Sequence, residues 1–292
     1  MKRILFILAA CLPIFILLWA SPPPKYYLSA GAIFRNEARF LKEWIEYHRM
    51  IGVEHFYLYN NLSEDDYHAV LDPYIKEGVV ELFEWPHQAK KHKHWNKIQC
   101  GAYWDLVQKK KHETFWLAII DTDEFIVPTE THDLRTFLKG YEKYGGLGIN
   151  WQHYGNTGLT ELKENQTLIG SLTKKAPTDY YRNKFVKSIV QPKLVEKITQ
   201  PHYCRYKKPY YHVTENKVPF PRKSLSETVS VEKIRINHYI YRDEKFFYTE
   251  KRRRVADWFP TAAPLEMNPE YVALEDKVIF PFIPELEGRL KK

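Results

Sequence analysis

Residues Tyr26–Asn61 read "YYLSAGAIFRNEARFLKEWIEYHRMIGVEHFYLYNN". Tyr26 to Phe34 is an aromatic and apolar stretch with small residues between, and it predicts a strand. Phe40, Leu41, Trp44, Ile45 and His48 then recur at helical spacing, with Asn36 as the expected N-cap. Gly52 closes that helix, and Val53 to Tyr59 predicts a second strand running into Asn60-Asn61. A strand, a helix and a strand in this order form one βαβ unit. Its two strands are therefore expected to lie parallel in one sheet.

The same alternation continues outward. Ser63 is the expected cap of a helix through Tyr74, and Val79 to Trp85 predicts a third strand. A basic loop, "HQAKKHKHWNK", leads into a helix from about Asn96 to Lys111, followed by a strand over Phe115–Ile120. This pattern predicts an α/β fold with a mostly parallel sheet flanked by helices. Such sheets bind ligands outside the carboxyl ends of their strands. That edge would gather Arg35-Asn36-Glu37, Asn60-Asn61 and Asp121-Thr122-Asp123. After about Gly140 the alternation dissolves into short aromatic stretches with Gly and Pro, which predicts an irregular, aromatic-rich second half packed on the sheet. Three regions follow: 1–25 as a membrane segment and Pro-rich spacer, 26–259 as the folded domain, and 260–292 as a tail packed on it.

The chemistry is signalled by "FWLAIIDTDEFIVP", residues Phe115–Pro128. An apolar strand ends in Asp121, Asp123 and Glu124 and then resumes as Phe-Ile-Val. Acids at i and i+2 share a face of an extended chain, and their repulsion is relieved by a cation between them. Oxygen ligands of this type suit Mn²⁺ or Mg²⁺ holding a nucleoside diphosphate, with Asp123 on the metal and Asp121 on the metal, a bridging water or a ribose. The bland alternative is a solvated loop whose acids pair with Lys and Arg. Arg35, Asn36 and Glu37 are candidates for a base or ribose, or for a helix start with a dipole-matched Glu. His238, in "RINHYIY", is either a structural histidine or a late ligand completing a metal site. His92 and His94 in "KKHKHW" are crowded by Lys90, Lys91, Lys93 and Lys97, which disfavours a cation there. "KRRR", Lys251–Arg254, reads as a solvated helix face or as a basic flap over a diphosphate.

Composition narrows the partners. Forty-four basic against 36 acidic residues leave a net charge of +8, which favours anionic ligands. No nucleic-acid-binding module is recognisable, so nucleic acid is not an expected partner. Met1-Lys2-Arg3 precedes an apolar run from Ile4 to Ala20 and then Ser21-Pro22-Pro23-Pro24. This reads as a signal anchor rather than a cleaved signal peptide, with Lys2 and Arg3 on the cytoplasmic side and a stiff spacer beyond. Leu8-Ala9-Ala10-Cys11 mimics a lipoprotein cleavage site, but the hydrophobicity continues past the cysteine. In a eukaryote the folded part would then be lumenal, as in Golgi or ER; in a bacterium the anchor would lie in the inner membrane. Cys100 and Cys204 could form one disulfide or remain buried thiols. The sequons at Asn61 and Asn165 are compatible with a secretory route.

Taken with "FRNEARFLKEWIEYHRMIGVEHFYLYNN", the blocks "WLAIIDTDEFIVP", "NWQHYGNTG", "KSIVQP" and "INHYIYRDEKFF" resemble glycosyltransferase family 92 (DUF23-type) and related family 2-like glycosyltransferases. The resemblance spans roughly Leu28 to Phe259. It implies a GT-A fold, a nucleotide-sugar donor, a divalent cation, a glycan or other hydroxyl acceptor and inversion at the anomeric carbon. Galactose transfer from UDP-galactose is the activity it suggests. By position, Asn36 and Glu37 match the donor-side Asn-Glu, Asp121 and Asp123 the D-x-D, and His238 the late histidine as a metal ligand. Trp151 and Gly155 match the acceptor-side block, and Lys187 matches the Lys of the Lys-x-Ile-Val-x-Pro segment. Where the family often has Lys-Ser, this chain has Ile240-Tyr241-Arg242-Asp243, so the contacts of that turn are an open question. The general base has no spacing argument: Glu161, His153 and Asp179 are the candidates. The competing readings are a non-catalytic sugar- or nucleotide-binding protein on the same fold and a metal-dependent nucleotide hydrolase.

Overall fold

The structure is a computed structural model that describes residues 22–89, 94–220, 224–258 and 263–291. The apolar segment Ile4–Ala20, Cys11 and the lysine-rich loop with His92 lie outside the described residues. Among the described residues no helix is long and apolar enough to cross a membrane.

The first half follows the expected alternation: β1 (Tyr26–Phe34), α1 (Ala38–Met50), β2 (His55–Asn60), α2 (Tyr67–Lys76), β3 (Val80–Glu84), α3 (His94–Lys110), β4 (Thr114–Ile119) and β5 (Glu124–Pro128). Strands β1 to β4 are mutually parallel in the order β3-β2-β1-β4. The alternation of β1 decides which helix covers which face. Leu28, Ala30, Ala32 and Phe34 pack with α1 and α2, whereas Ile33 packs with Tyr103, Leu106 and Val107 of α3. From α1 the core receives Phe40, Leu41, Trp44 and Ile45, each fully or almost fully buried. Burial of side chains this size is worth about 1.5–3 kcal/mol apiece.

The second half is more regular than its sequence suggests. Strand β6 (Gly146–His153) and the strands Val186–Val190, His212–Val213 and Ile234–His238 complete the same nine-stranded sheet rather than packing on it as a separate layer. Val186–Val190 runs antiparallel to both β4 and β6, while Ile234–His238 is parallel to β6 and antiparallel to β5. The carboxyl ends of β1, β4, β6 and Ile234–His238 therefore share one edge with the amino ends of β5 and Val186–Val190. The segment after Pro269 contributes Tyr271, Ile279, Phe282 and Leu286 to the interior, and the helix Ile283–Leu290 packs near α1, with Lys42 donating to the Leu290 carbonyl at 2.8 Å.

Two local expectations are corrected. Asn36 does not cap α1: it sits at φ 52, Glu37 takes the N-cap position, and Asp65 accepts from the Ala38 N–H at 2.7 Å instead. Ser63 does not cap α2, which begins at Tyr67; its hydroxyl accepts from the Asn36 N–H at 3.0 Å. In both cases the loops after β1 and β2 bind each other, so their polar side chains are spent across loops rather than on the nearest helix. Gly52 follows α1 at φ 104, where a Cβ would meet the side chains of Arg135 and Asp133. Cys100 and Cys204 are free, buried thiols. Burial raises the Cys100 thiol to about 11 and Cys204 further.

Candidate functional site

The D-x-D turn joins β4 to β5, and three long-range restraints hold it. Trp44 of α1 donates its indole N–H to the Glu124 carbonyl at 2.9 Å, and Tyr47 donates to the Ile126 carbonyl at 2.9 Å. On the other side, His238 lies opposite Glu124 in the antiparallel register, and the Tyr239 N–H reaches the Asp123 carbonyl at 2.9 Å. His238 also lies opposite His153 in the parallel register with β6. Sheet register thus brings a histidine 115 positions downstream against the second aspartate, with Nε2 at 3.6 Å from Asp123 Oδ1.

A cleft of about 160 Å³ opens at this edge, lined by Arg35, Glu37, Trp95, Gln99, Asp121 to Asp123, His238, Lys251 and Arg254 among others. Its two aspartates have different surroundings. Both oxygens of Asp121 are engaged: Oδ1 accepts from Gln99 at 2.8 Å and Tyr103 at 3.0 Å, and Oδ2 pairs with Lys187 at 2.9 Å and keeps one lone pair. Asp123 faces His238 and is ion-paired by Lys251. Burial opposes ionisation of both. Lys187 nevertheless holds Asp121 below its ordinary range, and Lys251 and His238 hold Asp123 well below it. Glu124 behaves oppositely: burial pushes its carboxyl well above the ordinary range, with Lys187 at 3.7 Å only partly opposing this. Its side chain accepts from the Asp121 N–H at 2.7 Å and so shapes the turn.

The chain's own donor set fits a divalent cation between Asp123 and His238. Ligand atoms lie about 2.1 Å from Mg²⁺ or Mn²⁺, so two of them 3.6 Å apart can flank one ion. The Lys251 ammonium on Asp123 is a cation already held at that carboxylate. Asp121, with each oxygen engaged, stands beside this pair rather than in it.

The basic flap divides by side. Arg252 and Arg253 pair outward with Glu266 and Glu250, whereas Lys251 and Arg254 turn into the cleft. Arg254 pairs with Glu37 at 2.8 Å and donates to the Arg35 carbonyl. The flap carries a π-helical turn at Phe247–Lys251, a form common at functional sites. The turn Ile240–Asp243 makes its own contacts. Arg242, at φ 58 and fully buried, clasps Glu37 at 2.6 Å and the Thr122 carbonyl at 2.8 Å, with Phe40 beneath its guanidinium. The sequence marks Glu124 and Arg242 without giving either a role, and it passes over Gln99 and Tyr103, which only the packing of α3 against the turn reveals.

Several expected residues stand away from the cleft. Asn36 binds Glu250 at 2.9 Å and the Glu64 N–H at 2.7 Å, tying the flap to the loops. Asn60 is spent on Tyr67, Glu84 and the Ser63 N–H, so its amide braces β2 against β3 rather than facing a ligand. Gly155 is a packing glycine, since a Cβ there would meet Val272 and the Tyr271 backbone at 2.6–2.9 Å. Trp151 lies against His238, ring centroids 4.5 Å apart. Of the candidate bases, Glu161 is exposed and paired with Lys245, and Asp179 lines a separate surface hollow. His153 is buried beside His238 with Nδ1 on Asn183 Oδ1 at 2.8 Å, and burial drives its pKa down to about 3. Neither Glu161 nor Asp179 is among the residues that line the D-x-D cleft.

A mixed sheet flanked by helices, with a cleft at its carboxyl edge lined by Asp121, Asp123 and His238, defines the class. A family model for glycosyltransferase family 92 matches residues 26–271, and the chain belongs to that family. Among its relatives, glycosyltransferase family 92 protein At1g27200 of Arabidopsis thaliana is 27% identical over 252 residues, covering 80% of this chain and 39% of that protein. Protein RCOM_0530710 of Ricinus communis is 26% identical over 249 residues, covering 80% and 38%. The chain thus spans about two fifths of the length of these relatives. Among solved structures, S. aureus TarS 1–349 superposes with a TM-score of 0.41 at 13% identity, over 82% of this chain and 67% of that one. Glucosyl-3-phosphoglycerate synthase from Mycobacterium tuberculosis, solved in complex with Mn²⁺, UDP and glucosyl-3-phosphoglycerate, gives 0.32 at 13% identity, over 58% of each chain.

Proposed function

We propose that the chain is a metal-dependent, GT-A-type glycosyltransferase that moves a hexose from a nucleotide-diphosphate donor to a hydroxyl acceptor with inversion. The observation that carries this reading is the convergence of Asp123, His238 and Lys251 at the cleft. Asp123 and His238 would hold Mn²⁺ or Mg²⁺, which when bound supplies charge neutralisation for a diphosphate leaving group. Lys251 and Arg254 turn inward where they can neutralise phosphate oxygens as donor displaces the Lys251–Asp123 pair. Asp121, fixed by Gln99, Tyr103 and Lys187, suits a ribose hydroxyl as a rigid acceptor. Glu37, locked by Arg242 and Arg254, orients the end of β1 beneath the donor. UDP-galactose is the donor we favour, by family resemblance. The Ile4–Ala20 segment would tether the enzyme to a membrane.

The test is a donor screen with glycan acceptors, run with Mn²⁺ present and absent. Metal-dependent transfer of one hexose supports the reading. Donor binding without turnover would favour a non-catalytic binding protein, and acceptor-independent release of sugar would favour a hydrolase.

A further inference from the structure

At the opposite edge of the sheet, three potential ligands meet at the amino ends of the strands. His55 opens β2, Glu81 lies in β3 and Glu113 precedes β4; one ligand atom from each lies within 4.8 Å of the others. His55 is 5% exposed, and its Nδ1 lies 3.1 Å from the Gly78 carbonyl. A carbonyl only accepts, so Nδ1 carries the proton and Nε2 presents a lone pair. That Nε2 is buried and has no hydrogen-bond partner. A backbone carbonyl fixing the tautomer of a histidine is the usual outer support of a metal ligand.

The ring is held on two sides: Tyr26 stacks on it at 4.5 Å and Tyr57 meets it edge-on at 4.6 Å. Glu113 accepts from the Tyr57 hydroxyl at 3.2 Å. The Lys110 ammonium already bridges the two carboxylates, 2.6 Å from Glu81 and 3.1 Å from Glu113. The cluster thus holds one cation, and its imidazole lone pair, which no ammonium contact satisfies, is left over.

We propose that His55, Glu81 and Glu113 form a second divalent-cation site, of the nitrogen-oxygen type that suits Zn²⁺, remote from the D-x-D cleft. Three protein ligands and a water complete a tetrahedral zinc shell. Glu81 and Glu113 are 40% and 31% exposed at their side chains and can swing to the ion as Lys110 withdraws to solvent. Bound there, the ion cross-links β2, β3 and the approach to β4 and stabilises the parallel edge by mass action.

The test is a titration of the metal-stripped full chain with Co²⁺, followed by the visible absorption of a tetrahedral complex and by its displacement with Zn²⁺. The oxygen-rich D-x-D cleft does not produce that band. One equivalent is expected, unchanged in Asp123→Ala. Glu81→Gln and His55→Gln should each weaken it by about a hundredfold, and Lys110→Gln should tighten it by removing the competing ammonium. If His55→Gln does not fold, Glu81→Gln, at a half-exposed position, decides alone. Absence of the band in the wild type, or a band that survives both Glu81→Gln and His55→Gln, would overturn the proposal.

Discussion

Asp123 is held charged in a buried setting by two groups of different kinds, an ammonium and an imidazole. Lys251 and a metal compete for the same carboxylate. Lys251→Ala is therefore expected to tighten Mn²⁺ binding without donor by about tenfold while raising the KM for donor, because the same ammonium serves the diphosphate. Isothermal titration with metal and a donor-saturation curve read the two effects separately. Unchanged values in both would remove Lys251 from the site. The buried histidines make a second prediction. His48 and His153 are depressed by burial from 6.5 to about 3. Unfolding lets each take up a proton below pH 6.5, so the folded state is at full strength above that pH and loses stability as pH falls toward 3. Each contributes a slope of up to about 1.4 kcal/mol per pH unit. Urea denaturation at pH 7 and pH 5 should show the loss, and His48→Gln should reduce it. The D-x-D was legible as a motif because both acids are local. The grip on Glu37 was not, because Arg242 arrives from 205 positions away through a left-handed turn that residue type does not announce.

Helix α1 and the strand β5 form the element that aims the site. Trp44 and Tyr47 both donate to β5 carbonyls, so the helix fixes the turn as well as the core. Tyr47→Phe keeps the ring and removes the O–H, leaving the Ile126 carbonyl without that donor. The expected cost is about 1–3 kcal/mol, measured by urea unfolding, with a loss of transfer rate larger than the loss of folded protein. A rate that falls only in proportion to folding would mean the bond serves stability alone. The helices and strands up to β5 could be read directly, since each carries its own period and its own punctuation. Val186–Val190 and Ile234–His238 could not be assigned to the sheet in advance. They are five residues long, and their partners lie far away in the chain.

At the scale of the molecule, the segment beyond the sheet is part of its core. Ile279, Phe282 and Leu286 are buried against the α1 face, with Phe282 and Tyr47 ring centroids 5.6 Å apart. Truncation after Val278 should cost on the order of 5 kcal/mol, comparable to the whole margin of a typical domain, and should yield aggregated protein. A truncated chain that melts like the parent would mark the segment as an ornament. Removal of residues 1–24 is expected to leave a soluble, folded protein, because the sheet begins at Tyr26. Failure of that shortened chain to stay soluble in the absence of membranes would assign the apolar segment to the fold. What places the cleft edge is global: parallel pairing for four strands, then a reversal at Val186–Val190 that returns β6 and Ile234–His238 to the same edge. Sequence periodicity reports the first part and is silent on the reversal.

The central claim, that Asp123 and His238 together hold the cation that donor transfer requires, is tested most directly by Mn²⁺ titration of transfer activity in three proteins. The wild type should saturate at low metal. His238→Ala should need about ten- to a hundredfold more Mn²⁺ and recover at high concentration, with its fold intact by circular dichroism. Asp123→Ala should show no transfer at any metal concentration. A His238→Ala protein with an unchanged metal requirement, or an Asp123→Ala protein that still transfers sugar in a cation-dependent way, would contradict the account.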